Sequence, residues 1–316
     1  MLSVVCPFFN EKQIIEKSVL TLLGSLEKLQ SPWELILVDD GSSDGSSQIA
    51  LDLSEKDSRI KLLNYKKNMG RGYALKQGID LASGNFVLTM EIDSSWGPDI
   101  VARLYKEITA DQSIDIVVAS TNMKGGGYIN VPAKRILISK IGNKLLRFMV
   151  TNSVTMFTGM TRIYRSDIIK YIPASENGKE FHLDILIKAL ALGYKVTEIP
   201  ATITWNIDRL SDSKKADRKS SSNIPRLIKG HLIYCLIGQP FKYIYYICCA
   251  ALIVSIFLFL WGVLRLVSGE VSIFLMNSAL IFFLISTVFG GFGIVTLYMS
   301  RILKETWLMR IENSRK

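Results

Sequence analysis

The sequence predicts an α/β protein with a mostly parallel sheet and helices on both faces, followed by a two-helix transmembrane hairpin. Three observations carry that expectation. Short apolar runs alternate with helical periodicity from Leu2 to Ala119. Polar clusters stand just after Phe8, Val38 and Met90, where three of those runs end. Two long stretches, Tyr243 to Leu264 and Val271 to Ser300, contain no charged side chain.

Leu2 to Phe8 is an apolar run of the kind that forms a strand covered on both faces. Glu11 to Leu29 follows with Ile14, Ile15, Val19, Leu22, Leu23 and Leu26 on one helical face. Leu35 to Val38 reads as a second buried strand and Ser46 to Lys56 as a helix. Ile60 to Leu63 is a strand, Gly70 to Ala82 a helix and Phe86 to Met90 a strand. Pro98 to Ala110 is a helix and Asp115 to Ala119 a strand. Such alternation makes a parallel sheet, and ligands of open α/β sheets bind at the carboxyl ends of the strands.

Lys134 to Met149 is amphipathic. Ile138, Ile141, Leu145, Phe148 and Met149 share one face, Lys140, Lys144 and Arg147 lie opposite, and the segment has no acidic residue. Such a helix suits an anionic membrane surface, and it equally suits a helix with a solvated charged face.

The chain has 316 residues and a formal net charge of +10. That charge gathers in particular segments. Arg226, Lys229 and Lys242 precede the first uncharged stretch, and Arg301, Lys304, Arg310, Arg315 and Lys316 follow the second. Roughly 20 apolar residues cross a hydrocarbon core, so each stretch is long enough. Lys and Arg concentrate on the cytoplasmic side. Both termini are therefore expected in the cytoplasm, with the short connector Arg265 to Glu270 on the far side. No signal peptide is read at the N-terminus, whose apolar run is short and ends at Pro7. Cys6, Cys235, Cys248 and Cys249 have neither a disulfide framework nor zinc spacing. With His182 and His231 as the two histidines, a histidine metal site and a Ser-His-Asp triad are not expected. Nucleic-acid binding is not expected either, because the basic residues gather beside the apolar stretches.

The first strand runs into Pro7-Phe8-Phe9-Asn10-Glu11, and the second into Val38-Asp39-Asp40-Gly41-Ser42-Ser43-Asp44. Acidic side chains there can accept hydrogen bonds from a ribose or a base N–H, and they can equally cap the next helix. The fourth strand ends in Glu91-Ile92-Asp93. Two carboxylates at i and i+2 can reach one hard cation such as Mg²⁺ or Mn²⁺, or can stand as solvated charge. Trp205 to Lys219 joins Arg209, Lys214, Lys215, Arg218 and Lys219 to several serines. That composition suits phosphate binding, and it also suits a juxtamembrane linker drawn to anionic lipid.

In this order and spacing, the PxxNE, VDDGSxD and acidic-x-Asp elements resemble the family-2 inverting glycosyltransferases of the GT-A fold, in particular the polyprenyl-phosphate branch. The resemblance covers roughly Leu2 to Lys215, and the two-span tail is similar to bacterial members. It implies a glycosyltransferase domain over residues 1–205 and a basic loop and juxtamembrane segment over 206–242. Two transmembrane helices would fill 243–300, at about 243–264 and 273–298, with a basic cytoplasmic tail over 301–316.

Matched residue by residue, the resemblance assigns Pro7, Phe9, Glu11, Val38, Asp39 and Asp40 to the nucleotide pocket, with Asp40 on the base. Asn68 to Gly72, including Arg71, supports the diphosphate. Glu91 and Asp93, with Ser95 where the family has Gln, form the site for Mg²⁺ or Mn²⁺. Glu91 stands where the family has Asp. Arg135 and Ser139 hold phosphate near the acceptor. Lys124 substitutes for an Arg missing after the fifth strand. Thr158, Gly159 and Arg162 loosely match a TxGxR-like element. Asp184 stands at the place of a family Glu, and Glu198-Ile199-Pro200 closes the last strand. Arg209, Ser213 and Lys214 match a basic loop that closes over the diphosphate.

The implied partners are a UDP- or GDP-sugar donor, a polyprenyl phosphate and the membrane, with self-association through Gly290, Gly291 and Gly293 left open. An ionised phosphate acceptor needs no strong base, so Arg135, Asp93 and the basic loop would carry catalysis by positioning and charge. A hydroxyl acceptor would need a base, with Asp184 the candidate. The alternatives are transfer to another lipid or saccharide hydroxyl, and a non-catalytic nucleotide-sugar-binding membrane partner.

Overall fold

The computed structural model describes residues 1–93, 95–151, 153–174, 177–178, 180–205 and 240–315. The basic segment with Arg209, Ser213 and Lys214 lies outside the described residues. The chain divides into two units, one mixed α/β and one a helical hairpin.

The first unit runs β1 (Leu2–Phe8), α1 (Ile15–Leu26), β2 (Trp33–Asp39), α2 (Ser46–Lys56), β3 (Ile60–Asn64), α3 (Arg71–Leu81), β4 (Phe86–Thr89) and α4 (Ile100–Ala110). It continues with β5 (Ile116–Ser120), β6 (Gly127–Ile129), α5 (Ala133–Met149), β7 (Arg162–Arg165), α6 (Ser166–Ile169), α7 (Phe181–Leu192), β8 (Val196–Pro200) and β9 (Thr202–Thr204). Every element expected before Ser120 is present. The first helix starts at Ile15 rather than Glu11, because Glu11 opens a turn in which its carbonyl accepts the amides of Ile14 and Ile15.

Seven strands form one sheet in the order β3-β2-β1-β4-β7-β5-β8. All pairings are parallel except those of β7, which runs antiparallel to both β4 and β5. A second, two-stranded sheet pairs β6 with β9. Apart from the half-buried Pro7, the apolar side chains of β1, β2 and β5 are buried, as a sheet covered on both faces requires. Helix α3 lies directly against β1 and β2. Gly78 permits that approach, since a Cβ there would come within 2.4 Å of Val5 Cγ1 and 2.9 Å of Val38 Cγ2.

One carboxylate is built into the opposite, amino-terminal edge of the sheet. Glu34 on β2 is 3% exposed. It accepts the Ser3 hydroxyl at 2.5 Å, the Ser83 amide at 2.6 Å and the Ser83 hydroxyl, and it pairs with Lys61 at 2.6 Å. Burial raises its pKa, but the Lys61, Ser3 and Ser83 bonds outweigh burial and bring it down to about 2.

Helix α5 docks on the protein through a narrow stripe. Asn143, Leu146 and Val150 are buried, and Ile136 and Ser139 half-buried. Of the apolar face expected from the sequence, Ile138, Ile141, Leu145 and Phe148 are 37–66% exposed, and so is the neighbouring Leu137. Lys140, Lys144 and Arg147 are exposed beside them.

Two further helices, α8 (Pro240–Val267) and α9 (Ile273–Arg315), run antiparallel and form the described part of the second unit as far as Met309. Both helices are long and apolar enough to cross a membrane, over Ile244–Val267 and Ile273–Asn313. Helix α9 runs on through the residues expected as a tail. Small residues line the seam between the two helices. The Ser255 hydroxyl donates to the Ala279 carbonyl at 2.8 Å, and the Ser286 hydroxyl to the Cys248 carbonyl at 3.1 Å. A Cβ on Gly290 would meet Cys248 Sγ at 3.6 Å, an ordinary contact, so Gly290 faces α8 without a glycine being required there. In the connector, Arg265 and Glu270 pair with each other at 3.0 Å.

Because Glu34 has a lower pKa folded than unfolded, its stabilisation is full above about pH 4.5 and is lost as pH falls toward about 2. Lys61 is open to water, so the contribution is discounted to on the order of 2 kcal/mol. Thermal unfolding in detergent from pH 7 to pH 2 should show the parent losing stability in that window. Glu34→Gln should be less stable at pH 7 and flatter below pH 4.5. Parallel curves for the two proteins would refute the assignment.

Candidate active site

Strands β1, β2 and β4 are adjacent and parallel, so the segments that follow them leave the same edge of the sheet. Phe8 pairs in register with Asp39, and Val5 with Thr89. This places Glu11, Asp39, Asp40, Glu91 and Asp93 along one edge.

The first two segments interlock. Asn10 N–H donates to Ser42 Oγ at 2.9 Å, and Ser43 N–H donates to Asn10 Oδ1 at 2.9 Å. Glu11 N–H donates to Ser46 Oγ at 2.9 Å and Lys12 N–H to Asp44 Oδ2 at 3.0 Å. Pro7 and Glu11 are half-buried, while Phe9 is 44% exposed and offers its ring at the rim. Gly41 has φ +76°, and a Cβ there would strike Asn68 N at 2.7 Å. Glycine is needed at this contact for both reasons.

Val38, Asp39 and Asp40 are buried. Asp39 accepts the Ser42 amide at 2.9 Å. Asp40, expected to contact a base, accepts the Tyr65 hydroxyl at 2.8 Å and the Met69 and Gly70 amides at 2.8 and 3.1 Å. Burial and the Asp40 charge push the Tyr65 phenol up, so it remains a donor. In this structure Asp40 shapes the loop before α3 from beneath. The next amides, of Gly72 and Tyr73, donate to the Asn177 carbonyl. What this loop offers an anion is the exposed side chain of Arg71, the first residue of α3.

Glu91 and Asp93 are half-buried. Glu91 Oε2 accepts the Thr161 hydroxyl at 2.9 Å and the Trp96 indole N–H at 3.1 Å. Asp93 Oδ1 accepts the Ser95 amide at 3.2 Å. Among the described residues no three His, Cys, Asp or Glu side chains cluster as a metal cage. Two strand-end carboxylates still fit Mg²⁺ or Mn²⁺, which takes one or two protein carboxylates and completes its shell with water and phosphate oxygens.

Arg135, Lys124 and Ser139 were expected near the acceptor. Arg135 is exposed in the first turn of α5, with its guanidinium 4.8 Å over the Trp205 ring. Ser139 is held on the docked side of α5 by Asn143, which donates to the Ser139 carbonyl at 2.9 Å. Asn143 also donates to Thr158 Oγ1 and accepts the Phe157 amide. Lys124 is exposed on the loop after β5.

Asp184, expected as a base for a hydroxyl acceptor, is buried. It is 2% exposed in the first turn of α7 and pairs at 2.8 Å with Lys188 one turn later. The helix is buried nearly all round, so its two charges must satisfy each other. Arg162 is fully buried and donates to the His182 and Phe157 carbonyls. His182 is buried beside the Arg162 and Arg71 charges, and burial first, then those charges, drive its pKa well below the ordinary value.

Sequence reasoning had not singled out Trp96, Thr161, Asn143 or Trp205 for the site. Glu198 was expected to close a strand. It also accepts the amides of Thr155 and Met156 and the Thr155 hydroxyl at 2.7–2.8 Å, fixing the segment before β7.

A mostly parallel sheet with one reversed strand, and acidic segments at a single carboxyl edge, is the arrangement of the GT-A glycosyltransferase fold. The model of the family described as "Glycosyl transferase family 2" matches residues 3–172, and the chain belongs to that family. It is 29% identical over 208 residues to polyprenol monophosphomannose synthase of Mycolicibacterium smegmatis, covering 64% of this chain and 76% of that one. It is 28% identical over 314 residues to undecaprenyl-phosphate 4-deoxy-4-formamido-L-arabinose transferase of Photorhabdus laumondii. That second likeness covers 96% of this chain and 90% of the other. A crystal structure of glucosyl-3-phosphoglycerate synthase from Mycobacterium tuberculosis, in complex with Mn²⁺, UDP and phosphoglyceric acid, is similar in fold. The TM-score is 0.53 at 18% identity, over 74% of this chain and 78% of that one.

Asp40→Ala would leave the half-buried Tyr65 phenol and two backbone amides without their acceptor, at a cost on the order of 2 kcal/mol. Its unfolding temperature should fall by several degrees and its Michaelis constant for the donor should rise. An unchanged unfolding temperature would show that the loop does not depend on this carboxylate.

Proposed function

We propose that this glycosyltransferase moves a sugar, with inversion, from a nucleotide-sugar donor to a polyprenyl phosphate at the cytoplasmic face of a membrane. The observation that carries the choice of acceptor is the burial of Asp184 against Lys188. A hydroxyl acceptor must lose a proton as it attacks, and this carboxylate is not placed to take it. A phosphate oxygen is already ionised at neutral pH and needs no base. The likeness to an undecaprenyl-phosphate transferase along 96% of the chain, apolar helices included, supports the same choice.

The first two strand-end segments would grip the nucleoside, with Phe9 at the rim and Asp40 holding the wall beneath. Arg71 would meet the diphosphate, and Arg209 and Lys214 would close over it. Arg135, with Ser139 and Lys124, would hold the acceptor phosphate so that its oxygen lies in line with the bond to the leaving diphosphate. A single displacement in that arrangement inverts the anomeric centre. Two anionic substrates repel, so bringing them together is most of the catalytic task. Asp93, assisted by Glu91 and the Ser95 segment, would hold Mg²⁺ or Mn²⁺, which when bound neutralises charge on the diphosphate. The exposed apolar face of α5 would lie among lipid headgroups, with Lys140, Lys144 and Arg147 toward anionic lipid.

The test offers a panel of UDP- and GDP-sugars with a short-chain polyprenyl phosphate and Mn²⁺, followed by mass spectrometry. A glycosylated lipid phosphate of inverted configuration is expected. A product formed only with a hydroxyl acceptor would sink the reading. Asp93→Ala should reduce turnover at least about 100-fold, a loss equivalent to about 2.7 kcal/mol, and should weaken Mn²⁺-dependent donor binding measured by calorimetry. Asp184→Asn should leave the pH dependence of turnover with the phosphate acceptor unchanged.

A further inference from the structure

Arg135 is the third residue of α5 and is exposed, where a long side chain has little to fix it. Among the described residues no carboxylate pairs with it. Its one recorded side-chain contact is the face of Trp205, 4.8 Å from the guanidinium carbon. Trp205 is itself held by the backbone. Its amide donates to the Ile129 carbonyl at 3.0 Å, and the amide of its neighbour Thr204 donates to the Ser95 carbonyl at 2.8 Å. Ser95 in turn donates its amide to Asp93 at 3.2 Å. A continuous chain of contacts therefore runs from the Asp93 carboxylate through Ser95, Thr204 and Trp205 to Arg135.

We propose that Trp205 is a positioning residue for the acceptor: its indole holds the Arg135 guanidinium by one face, at a fixed place relative to Asp93. The proposal rests on the reading that Arg135 meets the acceptor phosphate. Stacking uses the face of the guanidinium and leaves its N–H donors directed outward in the plane, in the fork that suits a phosphate. A tryptophan face is also the strongest aromatic partner for a cation. The indole thus orders a mobile charge before the acceptor arrives, without competing for its hydrogen bonds. Lost ordering should appear as weaker acceptor binding, with donor binding unchanged.

The test uses the full chain in detergent micelles with donor, Mn²⁺ and a short-chain polyprenyl phosphate. Trp205→Leu should raise the acceptor KM by about threefold to fivefold, the worth of an exposed cation–π contact. Donor KM and unfolding temperature should stay near the parent values, and Trp205→Phe should fall between the two proteins. Mono-, di- and trifluorotryptophan at position 205 keep the shape of the indole while draining charge from its face. They should raise the acceptor KM in step with the number of fluorines, which a purely structural indole would not do, and this series decides the matter if Trp205→Leu folds poorly. A flat response across the fluorinated series, alongside a raised acceptor KM in Arg135→Ala, overturns the proposal alone. An unchanged acceptor KM in Arg135→Ala overturns both the proposal and the reading of Arg135 beneath it.

Discussion

Buried and half-buried acceptors taking backbone N–H groups from neighbouring segments hold this site together. A parallel sheet brings its carboxyl-end loops to one edge but gives them no ladder partners, so their amides need other acceptors. Asp40 takes two amides from the loop before α3, Glu198 takes two from the segment before β7, and Asn143 takes that of Phe157. Each of these side chains links segments far apart in sequence. A carboxylate accepting amides is a charge-assisted bond of about twice ordinary strength, and it costs little entropy when already buried. The loops at this edge are therefore tied to one another by side chains that spend their oxygens on backbone amides.

That division of labour explains what could be read from the sequence. The alternation of β1 to β5 with helices was legible because burial on both faces leaves continuous apolar runs such as Leu35 to Val38. The motifs after β1, β2 and β4 were legible because parallel neighbours must end at the same edge. The roles within each motif were less legible. Sequence spacing places Asp40 and Glu91 at the edge but not the direction of their oxygens, and here those oxygens turn toward Tyr65, Met69, Trp96 and Thr161. β7 was missed as an antiparallel insertion, since its four residues lack a distinctive period and its partners lie far away in sequence. β6 and β9 are three residues each, too short for any pattern. Asp184 resembled a base by position, and only the i+4 Lys188 hinted that its charge had a structural partner.

The hairpin follows a simpler rule. A hydroxyl in hydrocarbon needs an acceptor, and Ser255 and Ser286 find theirs in carbonyls of the opposite helix. Small side chains at these crossings let the backbones come close enough for those bonds. Over Ile244 to Leu264 and Ile273 to Met299 the rest of the helix surface is mostly apolar and exposed, as contact with lipid tails would require.

The outward turn of Leu137, Ile141, Leu145 and Phe148 on α5 bears on how the enzyme can be handled. Cutting the chain ahead of Pro240 would discard both long apolar helices yet leave this patch bare. Such a fragment, freed of its anchor, would still carry a greasy surface belonging to the part that binds sugar nucleotide. It would cling to vesicles or to its own copies, and detergent would be needed to keep it dispersed. Water solubility in this protein is thus limited by the catalytic half as well as by the anchor.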